Sequence, residues 1–189
     1  MTLLRASDYK RMPWKNGGGE TVEIAIFPPG SSVDDFDWRI SMATVASDGP
    51  FSIFPGIDRT LSILEGNSMA LAIAAADPLM LTVESQPLPF PADVPVNATL
   101  PDGAITDLNV MTRRSTFRHV VRRHFGLFAG KAGGNATLIL APDPLTVSTG
   151  DGKEQLGKLD GLLIEGGLPF TVEAGQNESA FFLITLERL

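Results

Sequence analysis

Leu61-Ser62-Ile63-Leu64-Glu65-Gly66 is a β-type run closed by a Glu-Gly pair, and Gly161-Leu162-Leu163-Ile164-Glu165-Gly166 echoes it near the end of the chain. Each is followed within a few residues by another apolar run, Met69 to Ala75 and Phe170 to Val172, as in a hairpin repeated in two sheets. Similar short runs lie at Thr21 to Phe27, Phe36 to Ala43, Ile105 to Met111, Phe117 to Phe125, Thr137 to Ala141 and Ala180 to Leu186. Glycine (19) and proline (14) interrupt the 189 residues too often for a helical period to persist between them. Many short strands with regular turn signals predict an all-β chain of barrel or sandwich type, built on a duplicated plan.

The segment Gln86 to Pro101 carries Pro87, Pro89, Pro91, Pro95 and Pro101, and proline removes the N–H that a central strand must donate. It is expected to connect two halves, residues 1–95 and 96–189, packed as one compact body. In the tail, Phe181, Leu183 and Thr185 alternate with Phe182, Ile184 and Leu186, which predicts a last strand buried on both faces.

Fifteen Lys and Arg against 22 Asp and Glu give a formal charge of -7, a field that repels nucleic acid. A local basic block runs against that balance: Arg113, Arg114, Arg118, His119, Arg122, Arg123 and His124. It is a strand face paired with nearby acids or a surface for an acidic partner. With no cysteine there is neither a disulfide framework nor a thiol nucleophile. The first residues lack the apolar core of a secretory signal, and the longest apolar run, Met69 to Ala76, is far short of a membrane span. A cytoplasmic protein without membrane contact is expected, and a homodimer is compatible with barrel edges but not fixed.

Chemistry-bearing residues concentrate early. In Met12-Pro13-Trp14-Lys15-Asn16-Gly17-Gly18-Gly19-Glu20-Thr21 the three glycines permit positive φ and either cradle an anion or make a tight turn into the next strand. They match neither a P-loop nor a dinucleotide fingerprint. Along Trp38-Arg39-Ile40-Ser41-Met42, Arg39 and Ser41 point away from the apolar set, toward solvent or a pocket. Gly49-Pro50-Phe51-Ser52-Ile53-Phe54-Pro55-Gly56-Ile57-Asp58-Arg59 sets two aromatics and Ser52 beside an arginine. The planar fork of Arg59 suits a carboxylate, although a salt bridge to Asp58 or another acid is the alternative. Two histidines, His119 and His124, are too few for the usual barrel metal set, so no metal or other cofactor is expected. The serines near the front cluster have no histidine within the same motif, and no catalytic residue is assigned.

These three ordered motifs, Met12 to Ile24, Trp38 to Ser41 and Gly49 to Arg59, resemble the HutD/Ves family. The resemblance implies a bicupin fold, two double-stranded β-helix barrels without the usual metal histidines, and a part in histidine utilisation through binding of a pathway intermediate. Urocanate, formiminoglutamate and formylglutamate are carboxylates, which suits Arg59 as the clamp. Carried over with it as ligand-binding residues are Trp14, Lys15, Asn16, Arg39, Ser41, Phe51, Ser52 and Phe54. Three functions follow: a non-catalytic binder of a small anionic metabolite, a metal-independent cupin isomerase or hydrolase, and a protein-interaction module using the basic block.

Overall fold

The structure, a computed structural model, describes residues 1–14, 17–175 and 179–189. It is built almost wholly of strands, numbered here along the chain, in two units: Lys10–Phe117, and Met1–Tyr9 together with Arg118–Leu189. The larger sheet of the first unit runs, in hydrogen-bonded order, β2 (Lys10–Pro13), β3 (Gly19–Phe27), β4 (Trp38–Val45), β11 (Ile105–Arg113), β6 (Ile57–Glu65) and β9 (Leu88–Pro91). Its smaller sheet runs β5 (Gly49–Pro50), β10 (Val96–Thr99), β7 (Ser68–Ile73) and β8 (Leu79–Thr82). The second unit has a five-stranded sheet of β1 (Thr2–Leu4), β17 (Gly161–Glu165), β14 (Ala136–Leu140), β19 (Ala180–Arg188) and β12 (Phe117–Phe125). Its four-stranded sheet runs β13 (Leu127–Lys131), β18 (Pro169–Ala174), β15 (Leu145–Thr149) and β16 (Gly152–Leu156).

Each unit closes over its own apolar core. In the first, Ala43, Leu61, Ile63 and Ile105 from the large sheet meet Met69, Leu71, Leu81 and Val96 from the small one. In the second, Ile139, Leu162 and Phe181 meet Val147, Leu156, Phe170 and Val172. Burying inward-facing aliphatic and aromatic side chains of paired sheets is the main stabilising term, about 1.5–3 kcal/mol for each large side chain. The last strand, β19, lies between β14 and β12. Phe182, Ile184 and Leu186 are buried on one face, while on the other Phe181 is buried and Leu183 and Thr185 are half-buried, so burial on both faces holds only in part.

The Glu-Gly echo marks equivalent corners of the two units. Both Gly66 and Gly166 have positive φ, +97° and +78°, which glycine adopts without a Cβ penalty. The strands joined there are not hairpin partners, however. Strand β6 lies in the large sheet and β7 in the small one, just as β17 and β18 lie in different sheets. The glycine corner therefore carries the chain from one sheet to the other.

Two further expectations are corrected. The proline-rich segment does not separate the halves: Val96–Thr99 pairs with Ser68–Ile73, and the first unit continues to Phe117. Proline is accommodated because β9, with Pro89 and Pro91, is an edge strand, while Pro95 and Pro101 flank β10. Nor does the N-terminus belong with the residues that follow it. Thr2–Leu4 adds to β17, Arg5 pairs with Asp160 at 2.7 Å, and Tyr9 Oη donates to the Leu4 and Leu159 carbonyls at 3.2 and 3.0 Å. Three residues with no clear alternation carried little signal of that pairing. Among the described residues no helix is long and apolar enough to cross a membrane.

Candidate functional site

The centre of the large sheet in the first unit is buried on both faces, and one of those faces sets polar side chains among apolar ones. Register aligns Arg39 with Met111 and Met111 with Arg59; one step along, Ser41 aligns with Asn109 and Asn109 with Leu61. A further step aligns Ala43 with Asp107 and Asp107 with Ile63. Side chains alternate across a strand, so Arg39, Ser41, Asp107, Asn109 and Arg59 share one face. Ile40, Met42, Leu108 and Val110 fill the other, and all are buried.

This face lines a cavity of about 510 Å³, a size usual for small-molecule sites. Two buried arginines are fixed within it by different partners. Arg39 donates Nε–H to Glu23 Oε2 at 2.7 Å, a pair of which both members are largely buried. Arg59 donates from both Nε and Nη2 to Asn109 Oδ1, the Nε bond being 2.8 Å long. The Asn109 amide in turn donates to Asp107 Oδ1 at 2.5 Å. This relay, Asp107 to Asn109 to Arg59, orients the guanidinium without neutralising it by direct contact. The guanidinium also lies over the Phe51 ring at 4.5 Å and near the Phe90 ring at 5.8 Å, a cation–π arrangement strengthened by burial.

Aromatic walls complete the cavity. Trp14 follows β2, and its indole N–H donates to Thr21 Oγ1 at 2.8 Å on β3. The glycine run is the turn that holds it there. Trp14 N–H donates to the Gly19 carbonyl at 2.9 Å and Gly17 N–H to the Trp14 carbonyl at 3.0 Å. A Cβ on Gly19 would stand 2.1 Å from the Thr44 carbonyl oxygen and 3.0 Å from the Trp14 ring, so only glycine fits. On the other side the Gly49 to Ile57 segment brings in Phe51, Ser52 and Phe54. Phe51 and Phe54 N–H groups donate to the Val96 and Ala92 carbonyls, at 2.8 and 2.9 Å. Arg114 braces the same segment from outside, through Asp93 at 3.0 Å and Asp58 at 2.8 Å.

Burial sets the electrostatics. It lowers the Arg59 guanidinium to about 10, with the Asp107 charge working against the fall and Arg39 adding to it. At neutral pH Arg59 still carries its proton. Burial raises the Asp107 carboxyl from 3.8 to about 6, against the opposing effects of Arg59, the Asn109 amide and the Ala43 backbone N–H. Asp107 Oδ2 has no hydrogen-bond partner among the described residues.

Of the residues expected at the site, Trp14, Arg39, Ser41, Phe51, Ser52, Phe54 and Arg59 line this one cavity. Lys15 and Asn16 lie outside the described residues. The alternative pairing of Arg59 with Asp58 does not form, because neighbours on a strand face opposite ways and Asp58 pairs with Arg114. Asp107 and Asn109 escaped the sequence reading, as did the acceptor role of Glu23 toward Arg39. A signal existed: Asp107-Leu108-Asn109-Val110 sets two polar residues at alternate positions inside an apolar strand. The basic block is largely occupied within the chain. Arg113 donates to the Phe36 carbonyl at 3.1 Å, Arg118 pairs with Glu187 at 2.8 Å, and His124 packs on Phe128 and Phe181. Among the described residues no group of three His, Asp or Glu is placed to hold a metal ion.

The fold is that of the cupins. It is shared with a cupin 2 conserved barrel domain protein from Leptotrichia buccalis, 14% identical, with 88% of each chain covered and a TM-score of 0.59. An oxalate decarboxylase of B. subtilis superposes with a TM-score of 0.65 at 10% identity, covering 98% of this chain and 77% of the other. At that identity the likeness concerns the fold alone. The chain belongs to the HutD family, whose sequence pattern matches residues 6–182. The structure of HutD from Pseudomonas fluorescens is 30% identical, covers 100% of this chain and 98% of the other, and has a TM-score of 0.86. Protein Ves of Citrobacter koseri is 42% identical over 133 residues, 67% of this chain and 68% of its own. A 21.2 kDa Pseudomonas putida protein from the region 3′ of hutC is 33% identical over 168 residues, 88% of this chain and 87% of its own.

Proposed function

We propose that this chain binds a small carboxylate of histidine degradation, such as urocanate, formiminoglutamate or formylglutamate, without turning it over, and so tunes histidine utilisation. The observation that carries the reading is the placement of two buried arginines, Arg39 and Arg59, on one wall of a cavity walled otherwise by Trp14, Phe51 and Phe54. A guanidinium held by a neutral acceptor, Asn109 Oδ1, keeps its charge for an incoming anion. Its planar fork then offers parallel N–H bonds to both carboxylate oxygens. The low-dielectric walls strengthen that contact relative to water. The link to histidine utilisation is supported by membership of the HutD family and by the Pseudomonas putida relative from the hutC region.

The test is a thermal-shift series with the three acids, followed by chromatographic recovery of each. Saturable stabilisation with the acid returned unchanged supports a binder. Steady consumption of the acid by metal-stripped protein supports a metal-independent enzyme, and no stabilisation by any of the three removes this ligand class.

A further inference from the structure

We infer that a carboxylate settling on Arg59 draws a proton from solvent onto Asp107, so that the cavity holds its ligand more tightly in mildly acid than in mildly alkaline solution. This rests on the carboxylate reading of the same site and adds its regulation.

Asp107 and Arg59 both line the cavity and both are buried, Asp107 completely. One side chain stands between them. Arg59 Nε donates to Asn109 Oδ1 at 2.8 Å, and the Asn109 amide donates to Asp107 Oδ1 at 2.5 Å. The donors to Asp107 are neutral: the Asn109 amide and, from β4, the Ala43 backbone N–H. Its Oδ2 has no hydrogen-bond partner among the described residues. The charge that favours its ionised form is that of Arg59. Other charged groups on the surrounding elements are engaged elsewhere. Arg39 of β4 pairs with Glu23 of β3 at 2.7 Å. Further along β6, Glu65 is exposed and aligned with Thr106. Asp48, which also lines the cavity, accepts the Leu100 N–H at 2.7 Å. The small sheet faces this core with Met69, Leu71, Val96 and Ala98, none of which titrates.

In the free protein one buried guanidinium and one buried carboxylate therefore balance across a neutral amide. A ligand carboxylate on the fork of Arg59 sets two acids against that single cation. Two carboxylates sharing one cation in a low-dielectric site do not both stay ionised. The ligand's is held directly by parallel N–H bonds, whereas Asp107 is one asparagine side chain away and closed off from water, so Asp107 takes the proton. Burial already brings this carboxyl to about 6 before any ligand arrives, and a further rise carries it past neutrality. The bound state then holds more protons than the free state, and affinity rises as pH falls, by up to about tenfold per pH unit between the free and bound values.

Formylglutamate is the probe, because both its carboxyls, like other carboxyls at about 4, stay ionised across the range, whereas the urocanate ring itself titrates. Isothermal titration at about pH 7 in phosphate and in Tris, whose heats of ionisation differ, counts the protons taken up with the ligand. The unmodified protein is expected to take up about 0.5–1 proton per ligand and to bind about tenfold more tightly at about pH 6 than at about pH 8.5. Asp107→Asn keeps an acceptor for the Asn109 amide but cannot titrate; its uptake should stay below about 0.2 proton and its affinity within about twofold over the same range. A second signature needs no variant: in the unmodified protein uptake should fall toward zero at about pH 5, where Asp107 holds its proton before the ligand arrives. Binding without proton uptake overturns the coupling while the carboxylate reading stands. Uptake that Asp107→Asn leaves intact, or that persists undiminished in the acid range, overturns it equally. Failure of formylglutamate to bind overturns the coupling as well, and the carboxylate reading falls with it only if urocanate and formiminoglutamate also fail.

Discussion

Arg59 and Asn109 are joined by two hydrogen bonds to a single oxygen: the guanidinium donates from Nε and Nη2 to Asn109 Oδ1. A neutral amide acceptor orients the arginine where a carboxylate would have cancelled it. Asn109→Ala should therefore act on two scales. The buried guanidinium loses its acceptor, costing about 1–3 kcal/mol of folding stability. Affinity for a small carboxylate should fall about tenfold because the fork is no longer held. Urea unfolding and titration with the same acid separate the two effects, and unaltered affinity would show that Asn109 does not position Arg59.

Glu23 occupies Arg39 through a 2.7 Å bond, with both side chains largely buried. Removing one member of such a pair strands the other charge, so Glu23→Ala is expected to cost about 3 kcal/mol. An added carboxylate should then restore part of what was lost, since Arg39 lines the cavity. The melting temperature of Glu23→Ala should rise more with saturating acid than that of the unmodified protein. Equal rises would indicate that Arg39 is structural only.

Asp107 gives stability a pH dependence of definite sign. Burial raises its carboxyl from 3.8 to about 6, so the folded chain holds this proton more tightly than the unfolded chain. Between about pH 4 and 6 the folded state binds more protons, and rising pH withdraws stability, by something on the order of 2 kcal/mol. Asp107→Asn should remove that slope and be as stable as the unmodified protein at pH 7, or more so. Urea midpoints measured from pH 4 to 7 on both proteins check this, parallel curves being the contrary outcome.

Gly19 is the position where the glycine run admits no side chain. Gly19→Ala drives a methyl against the Thr44 carbonyl oxygen and the Trp14 ring, and overpacking of this kind costs about 1–3 kcal/mol. Gly150→Ala, in open space, should stay within about 0.5 kcal/mol. Thermal melts and the emission of Trp14 compare the two. A silent Gly19→Ala would mean that the turn does not hold the tryptophan wall.

The architecture was legible in the sequence because its signals are local. Alternating apolar runs, frequent glycine and proline, and the Glu-Gly echo each follow from residues close together in the chain. The boundary was not, since whether Val96–Thr99 belongs with what precedes it depends on pairing with Ser68–Ile73. The same held for Thr2–Leu4, whose partner, Gly161–Glu165, lies at the far end of the chain. At the site, the motif residues Trp14, Arg39, Phe51 and Arg59 stood out by type. Asp107 and Asn109 did not, because a polar residue in a strand announces its chemistry only when the strand beside it is known. Register with β4 and β6 is what turns them toward the arginines.

The central claim is that Arg59 makes this cavity a carboxylate site. Isothermal titration of urocanate into the unmodified protein and into Arg59→Ala, at one salt concentration and pH 7, measures it most directly. Saturable binding by the unmodified protein, weakened at least about a hundredfold in Arg59→Ala, is the expected result for loss of a buried charged hydrogen-bond donor. Binding of equal strength in the two proteins would contradict it.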